Sequence, residues 1–404
     1  MKKFDVIIIG GGPAGSSLGI LLSEKGWDVL IIEKAVFPRQ KVCGEFLSPA
    51  IWPFLHRLQL THQVVSSSGQ FVEGVSFSSS HQKGIESQLV GLQGYPSFGY
   101  GISRKVFDHI LLSEAQNKGC HVLEHREAKR ITKDGDSYFV DTFDNVRHES
   151  FSYEASLVVN AGGKSGCQQF FEKKDRSLPE KVGFKAHFAG KRVGNKTKLF
   201  FFEGGYLGVV DVEGGKTNLC GIVEEEAFRK NSANFDVLLK RASEQNDEVR
   251  SFVNNSSRES KWFACSLAQN YPKGYQRGIF CVGDAACFLE PFMGQGMTMA
   301  IAGAFILASL LGNEITKSQD LDILGAHYEE LLSHLYRTKL RVGTFFNWFV
   351  SSVDKSSLAI DFFSSFPFVL SLVIKKVCTP DSLVTAEKNC LPFDSRGMIK
   401  PSVL

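Results

Sequence analysis

Gly10, Gly12 and Gly15 form a G-x-G-x-x-G triplet in "VIIIGGGPAGSS", between an apolar run and a helical pattern. At such a junction each glycine has a task. Gly10 permits a tight turn, Gly12 lets the backbone approach a pyrophosphate, and Gly15 lets helix and strand pack closely. The helix opening at Gly12-Pro13-Ala14-Gly15 points unpaired N–H groups at the phosphates. Glu33 ends the next apolar run, 18 residues after Gly15 and beside Lys34. A carboxylate there can accept from ribose hydroxyls and disfavours a 2′-phosphate. The pattern predicts a dinucleotide site suited to FAD or NAD rather than NADP.

A second constellation lies in "GIFCVGDAACFLEPFMGQGMTMAI". An apolar strand delivers Gly283-Asp284, and a loop through Pro291 reaches Gly294, Gly296 and Met297 at a helix start. Asp284 can hydrogen-bond a sugar-alcohol chain, or else cap a buried helix. The helix start can hold an electron-rich ring oxygen through backbone N–H groups and the helix dipole. The ten histidines show no ligand spacing, and none is expected as a catalytic base. The nine cysteines are odd in number and lack C-x-x-C, which predicts neither a disulfide framework nor a zinc site. No metal is expected, and the free thiols predict a reducing, cytoplasmic location.

The elements that must position these residues follow from periodicity. Phe4–Ile9 reads as a buried strand, "SSLGILLSEKGW" as a helix and Val29–Glu33 as a second strand, a βαβ unit. A helix is expected near Ile51–Leu60. Another is expected over "SRKVFDHILLSEAQNKG", with Phe107, Ile110, Leu111 and Ala115 on one face. Residues 156–163 form a buried strand ending in glycines. From about 180 to 270 the texture turns β-rich, interrupted by a helix at about 233–246, alone or with a second. Residues 320–378 are helical and Phe-rich. The fold class is α/β, with a nucleotide domain assembled from discontinuous segments (1–75, 101–165 and 274–345). An antiparallel sheet domain for substrate is inserted (76–100 and 166–273), and 346–404 form a C-terminal helical region.

Composition narrows the function. A chain of 404 residues fits two domains, or one large α/β unit with an insert. Hydrophobic residues at 43% and charged residues at 22% exclude wholesale disorder. A net charge of +3 gives no drive toward nucleic acid, so no such partner is expected. Phe supplies 34 residues against 4 Trp and 9 Tyr, which points to a large apolar interior and an apolar substrate pocket. The N-terminal apolar run stops at Gly10 without a cleavage pattern, so it reads as a strand and not as a signal peptide. The apolar run Leu358–Ile374 is broken by Asp361, serines and Pro367. It is expected to form a helical layer on the nucleotide domain, with at most peripheral membrane contact.

The two constellations together resemble those of the FAD-dependent oxidoreductases of the p-hydroxybenzoate hydroxylase-like superfamily. The similarity is greatest to the branch holding geranylgeranyl reductases, FAD-dependent monooxygenases and flavin halogenases, and it covers about residues 4–345. It implies a Rossmann-like (GR2-type) FAD-binding domain with FAD as cofactor. Gly10–Gly15 and Glu33 match the ADP-binding segment, and Gly283–Gly296 the ribityl segment, with Asp284 as a ribityl ligand. Arg104 matches the Arg of an R-x-x-F-D helix start, which implies a place near the FAD. Arg39, Cys43, Gly44 and Glu45 match an R-x-K-x-C-G-E segment at the flavin edge. Cys43 there would donate a proton or shape the pocket, or else serve as apolar packing. Residues 204–223 match a strand pair that crosses the pocket.

Three departures stand out. Ala161-Gly162-Gly163-Lys164-Ser165-Gly166 replaces A-D-G-x-x-S, a change that bears on nicotinamide handling more than on FAD. The W-x-W of tryptophan-type halogenases is absent. Tyr206-Leu-Gly-Val-Val-Asp211 stands where archaeal-type prenyl reductases carry an aromatic and Phe-Pro motif. The implied function is an FAD-dependent oxidoreductase, first a monooxygenase of an apolar or aromatic small molecule, since Pro291–Met297 resembles hydroxylases. The alternative is a reductase saturating C=C bonds of a prenyl or polyketide-like substrate. The lesser alternative is a flavin-binding module without turnover. No second glycine fingerprint exists, so NAD(P)H is expected only as a transient electron donor.

Overall fold

The β-branched run Val6–Ile9 makes the strand Lys3–Ile9 the middle of an eight-stranded sheet. The structure is a computed structural model that describes residues 2–79, 84–164, 181–267, 273–312, 321–350 and 353–378. Val29–Ile32 and Glu149–Asn160 flank the first strand in parallel, and His121–Leu123 and Ile279–Cys281 extend that order. The sheet is covered on both faces, which is why its strands read as unbroken apolar runs. Val6, Ile8, Val29 and Ile31 pack with residues of the helices Pro13–Ser23, Arg104–Asn117 and Gly296–Leu311. Their alternates Ile7, Ile9, Leu30 and Ile32 pack with Ala128, Tyr138 and Val140 of a hairpin, Arg126–Asp134 and Ser137–Asp144.

The second sheet also has eight strands. Lys181–Gly190, Thr217–Glu224, Gly205–Asp211 and Lys196–Phe202 pair antiparallel in that order. Gly74–Ser79 then joins Lys196–Phe202 in parallel, and this strand straddles the expected segment boundary at 75/76. Phe184, Phe188, Phe200 and Leu207 pack one face of this sheet on the helices Phe235–Gln245 and Asp247–Asn254. The helix expected at about 233–246 is Phe235–Gln245, and Asp247–Asn254 is a second one. Asn246 ends the first helix and caps the second, its side chain accepting from the N–H groups of Glu248 and Val249 at 3.0 and 3.2 Å. The helix expected near 51–60 is the shorter Trp52–Arg57, and a separate helix, Thr61–Ser66, follows it.

The C-terminal region forms the helices Leu321–Val350, Val353–Ser365 and Pro367–Cys378. The long helix covers the first sheet's core through Tyr328, Leu332, Leu335 and Tyr336. The last two were expected on the nucleotide domain, but Ala359, Ile360, Phe363, Leu370 and Ile374 join Phe77, Phe201 and Tyr206 of the second sheet. The apolar face of that sheet needs cover, and these helices supply it.

Candidate functional site

The glycine turn has the geometry its sequence requires. Gly10 has φ +110°, and a Cβ there would stand 2.5 Å from the Ala161 carbonyl oxygen. A Cβ on Gly15 would collide with the Gly10 carbonyl. A Cβ on Gly12 would instead point into open space, nearest Arg39 Nη2 at 3.8 Å. Glu33 is buried at the end of its strand. Its Oε2 accepts from the Gly11 N–H and its Oε1 from the Ala35 N–H, both at 2.8 Å, which fixes the carboxylate. Gly10, Gly12, Glu33, Lys34 and Arg39 line a cavity of about 270 Å³.

A second cavity of about 130 Å³ continues from it past Gly12 and Lys41. Here Pro13, Ala14, Cys43, Gly44 and Arg104 meet Gly283, Asp284, Pro291, Gly294, Gly296 and Met297. The structure thus brings together residues from both constellations. Only Gly15 lies off the cavity walls, where it lets the helix sit on the Gly10 turn.

A third cavity of about 570 Å³ shares Lys41–Gly44, Phe46, Asp284, Pro291 and Gly294 with the second. Its walls are Phe77, Leu199, Tyr206, Val209 and Ile222 of the second sheet, Phe288 and Phe292, and Ile374 and Val377 of the last helix. The three cavities form one line that runs past the segment 39–46. An ADP-sized polar end, a narrow middle beside a glycine-rich helix start and a wide apolar end fit FAD with a substrate chamber beyond it.

The charges along the line are arranged around Asp108. Arg104 Nε and Nη2 each donate to its carboxylate at 2.6 Å, and Arg39 Nη1 donates at 3.0 Å. Burial opposes the Arg104 charge, but Asp108 and Cys43 outweigh it and raise its pKa. Lys41 lines all three cavities. Burial and then Arg104 lower its pKa, partly offset by Asp284.

Sequence reasoning gave Glu45 no role of its own and missed its partners. Glu45 is fully buried at φ +56°. Its Oε1 accepts from the Arg104 N–H at 2.9 Å and from Lys185 Nζ, and His187 Nε2 lies 2.6 Å from its Oε2. Burial alone would push this carboxyl up, but His187 and Lys185 hold it below its ordinary value. Lys185 and His187 stand two apart on the strand Lys181–Gly190, so they share a face, opposite Phe184, Ala186 and Phe188. Two titratable residues at that spacing in an apolar strand were the available signal. Asn218 was also missed. Its Nδ2 donates to the carbonyls of Cys43 and Gly44 at 3.2 and 3.0 Å and holds that segment in place.

Cys43 lies where the second and third cavities join, its Sγ accepting from the Glu45 N–H at 3.4 Å. The nearby Cys220 thiol is pushed up to about 12 by burial, then by Cys43 and Glu45. In the altered mid-chain motif, Ser165 and Gly166 lie outside the described residues. Among the rest of it, the Gly162 N–H donates to Asn160 Oδ1 at 3.0 Å.

Comparison with known proteins agrees with this geometry. A family model described as "FAD binding domain" matches residues 3–334. A tryptophan 2-halogenase of Chondromyces crocatus is 24% identical over 379 residues, covering 84% of this chain and 67% of that protein. The chain thus spans about two thirds of that relative's length. A solved flavin-dependent brominase superposes with a TM-score of 0.78 at 19% identity, covering 93% of this chain and 94% of that one. A geranylgeranyl bacteriochlorophyll reductase-like protein from Thermoplasma acidophilum gives 0.76 at 19% identity, covering 96% and 99%. At such identities the superpositions speak for the fold alone. With the family match spanning the glycine turn, the Gly283–Gly296 loop and the inserted sheet, the chain belongs to the FAD binding domain family, as an FAD-dependent oxidoreductase of the p-hydroxybenzoate hydroxylase-like superfamily.

Proposed function

We propose that the protein is an FAD-dependent monooxygenase of an apolar or aromatic small molecule. The observation that carries this reading is the apolar chamber of about 570 Å³, which opens on the cofactor line at Cys43–Phe46 and Pro291–Gly294. Reduced FAD bound in that line supplies the reaction of O₂ with substrate. The chain's own residues do the rest. Phe77, Leu199, Ile222 and Phe292 exclude water and select an apolar ligand. Asn218 and the Glu45 ion cluster hold the segment between ring and substrate. Arg39, Lys41 and Arg104 offset the cofactor's negative charge. NAD(P)H serves as a transient donor. The nine cysteines, odd in number and without C-x-x-C spacing, favour a reducing, cytoplasmic setting.

One observation favours reduction of a C=C bond instead. The Cys43 thiol faces both cofactor and chamber, where it can protonate one carbon while hydride reaches the other. The two readings separate when FAD-loaded, reduced protein is given apolar aromatic substrates under isotopically labelled O₂. Label in the product supports the monooxygenase. Saturation of an added prenyl chain with no O₂ present would replace that reading with the second.

A further inference from the structure

The last two helices carry a surface that the chemistry above does not use. Val353–Ser365 buries Ser356, Ala359, Ile360 and Phe363, and Pro367–Cys378 buries Leu370, Ile374, Val377 and Cys378. Both sets follow i, i+3 or i+4 spacing and cover the second sheet. The opposite faces present Leu358, Phe362, Phe366, Phe368 and Leu372, between 47% and 69% exposed. Eleven large apolar residues are exposed among the described residues, and these five fall between Leu358 and Leu372. The rings of Phe362 and Phe366 lie 5.2 Å apart and those of Phe366 and Phe368 6.4 Å apart, so one patch crosses the bend between the helices. Single exposed apolar side chains need no explanation, but a contiguous patch marks a contact surface.

Charge identifies the contact. Phe368 and Leu372 share a helix face, and the exposed Lys375 and Lys376 continue it one turn on. The charged residues of the pair are Asp354, Lys355, Asp361, Lys375 and Lys376, three cations against two carboxylates, and the two lysines stand together at the end of the exposed face. Aromatic and leucine side chains ending in lysines suit the boundary between acyl chains and anionic headgroups. The geometry suits lying on a bilayer rather than crossing it. The pair is bent by 107°, its other faces are buried on the protein's own sheet, and no single helix among the described residues is long and apolar enough to span.

We propose that this patch docks the protein on the surface of an anionic lipid bilayer. Leu358, Phe362, Phe366, Phe368 and Leu372 enter the acyl boundary, and Lys375 and Lys376 meet lipid phosphates. The inner face of the same helix, at Ile374, Val377 and Cys378, is a wall of the 570 Å³ chamber. Docking therefore leaves one helix between the bilayer and the chamber, a short path for an apolar substrate. That consequence rests on the proposed function, whereas the docking itself does not.

Flotation of the full chain with vesicles of phosphatidylcholine, alone or mixed with phosphatidylglycerol, tests the proposal. The protein should float with the anionic vesicles and less with the neutral ones, whether or not it carries flavin. The triple variant Phe362→Ser, Phe366→Ser, Phe368→Ser should weaken binding at least about tenfold, given the apolar area removed. Its flavin content and melting temperature should stay unchanged, since all three side chains are exposed. Lys375→Glu with Lys376→Glu should abolish the preference for anionic vesicles. Failure of the parent to float with either vesicle overturns the proposal, as does undiminished flotation of the triple variant. A concentration-dependent dimer broken by the triple variant, with no flotation, would assign the face to a second copy and also overturn it.

Discussion

A valine at position 12 would place its branch beside Arg39, in the space where the pyrophosphate approaches, and not in the core. Gly12→Val should therefore abolish FAD retention, read as lost flavin absorbance, while the flavin-free melting curve stays close to that of the parent. Glu45 calls for the opposite test, one of stability. Its carboxyl is held below its ordinary value by His187 and Lys185 against the effect of burial. Its contribution is therefore complete above the unfolded value of about 4.3 and is lost as pH falls through the lower folded value. Lys185→Met leaves that carboxylate buried with one cation fewer. It should cost about 3–5 kcal/mol in urea unfolding at pH 7 and should move acid unfolding to higher pH. Cys43→Ser separates the two reaction classes. In a monooxygenase the reduced flavin still reacts with O₂, and more H₂O₂ escapes. In a C=C reductase, oxidation of the flavin by alkene should slow by about 10²- to 10⁴-fold, the scale of a lost general acid. An unchanged rate in both half-reactions would leave Cys43 as packing only.

At the scale of elements, the hairpin Gly205–Asp211 and Thr217–Glu224 decides what the chamber admits. Gly208 faces it, and a Cβ there would meet only Cys220 Sγ at 3.4 Å and Lys198 O at 4.0 Å. Gly208→Leu should keep FAD and raise KM for an apolar substrate about tenfold or more, a size-exclusion effect measurable by steady-state kinetics. Unchanged KM would mean that substrate binds elsewhere. The elements most legible in the sequence were those written in local chemistry: the Lys3–Ile9 strand, the Gly10–Gly15 turn and the helix from Gly296. The parallel pairing of Gly74–Ser79 with Lys196–Phe202 was not legible, because more than a hundred residues separate the two strands. A similar distance hid the Glu45 cluster, which exists only once the sheet brings Lys185 and His187 to the segment 39–46. The last two helices show a further limit of pattern. Ala359, Ile360 and Phe363 mark a buried face by their spacing, but not that the second sheet is what buries it.

At the scale of the whole molecule, the three cavities of about 270, 130 and 570 Å³ matter more than any one residue. The first sheet supplies the polar end, the inserted sheet and C-terminal helices supply the apolar end, and residues 39–46 run between them. Such a line lets one bound cofactor bring its redox-active end to a dry chamber. Anaerobic photoreduction of FAD-loaded protein, followed by rapid mixing of separate portions with O₂ plus an apolar aromatic substrate or with an apolar alkene alone, tests this arrangement most directly. The expected result is that O₂ reoxidises the flavin and leaves oxygen in the aromatic substrate, while the alkene alone leaves the flavin reduced. Reoxidation by the alkene without O₂ would contradict the monooxygenase assignment.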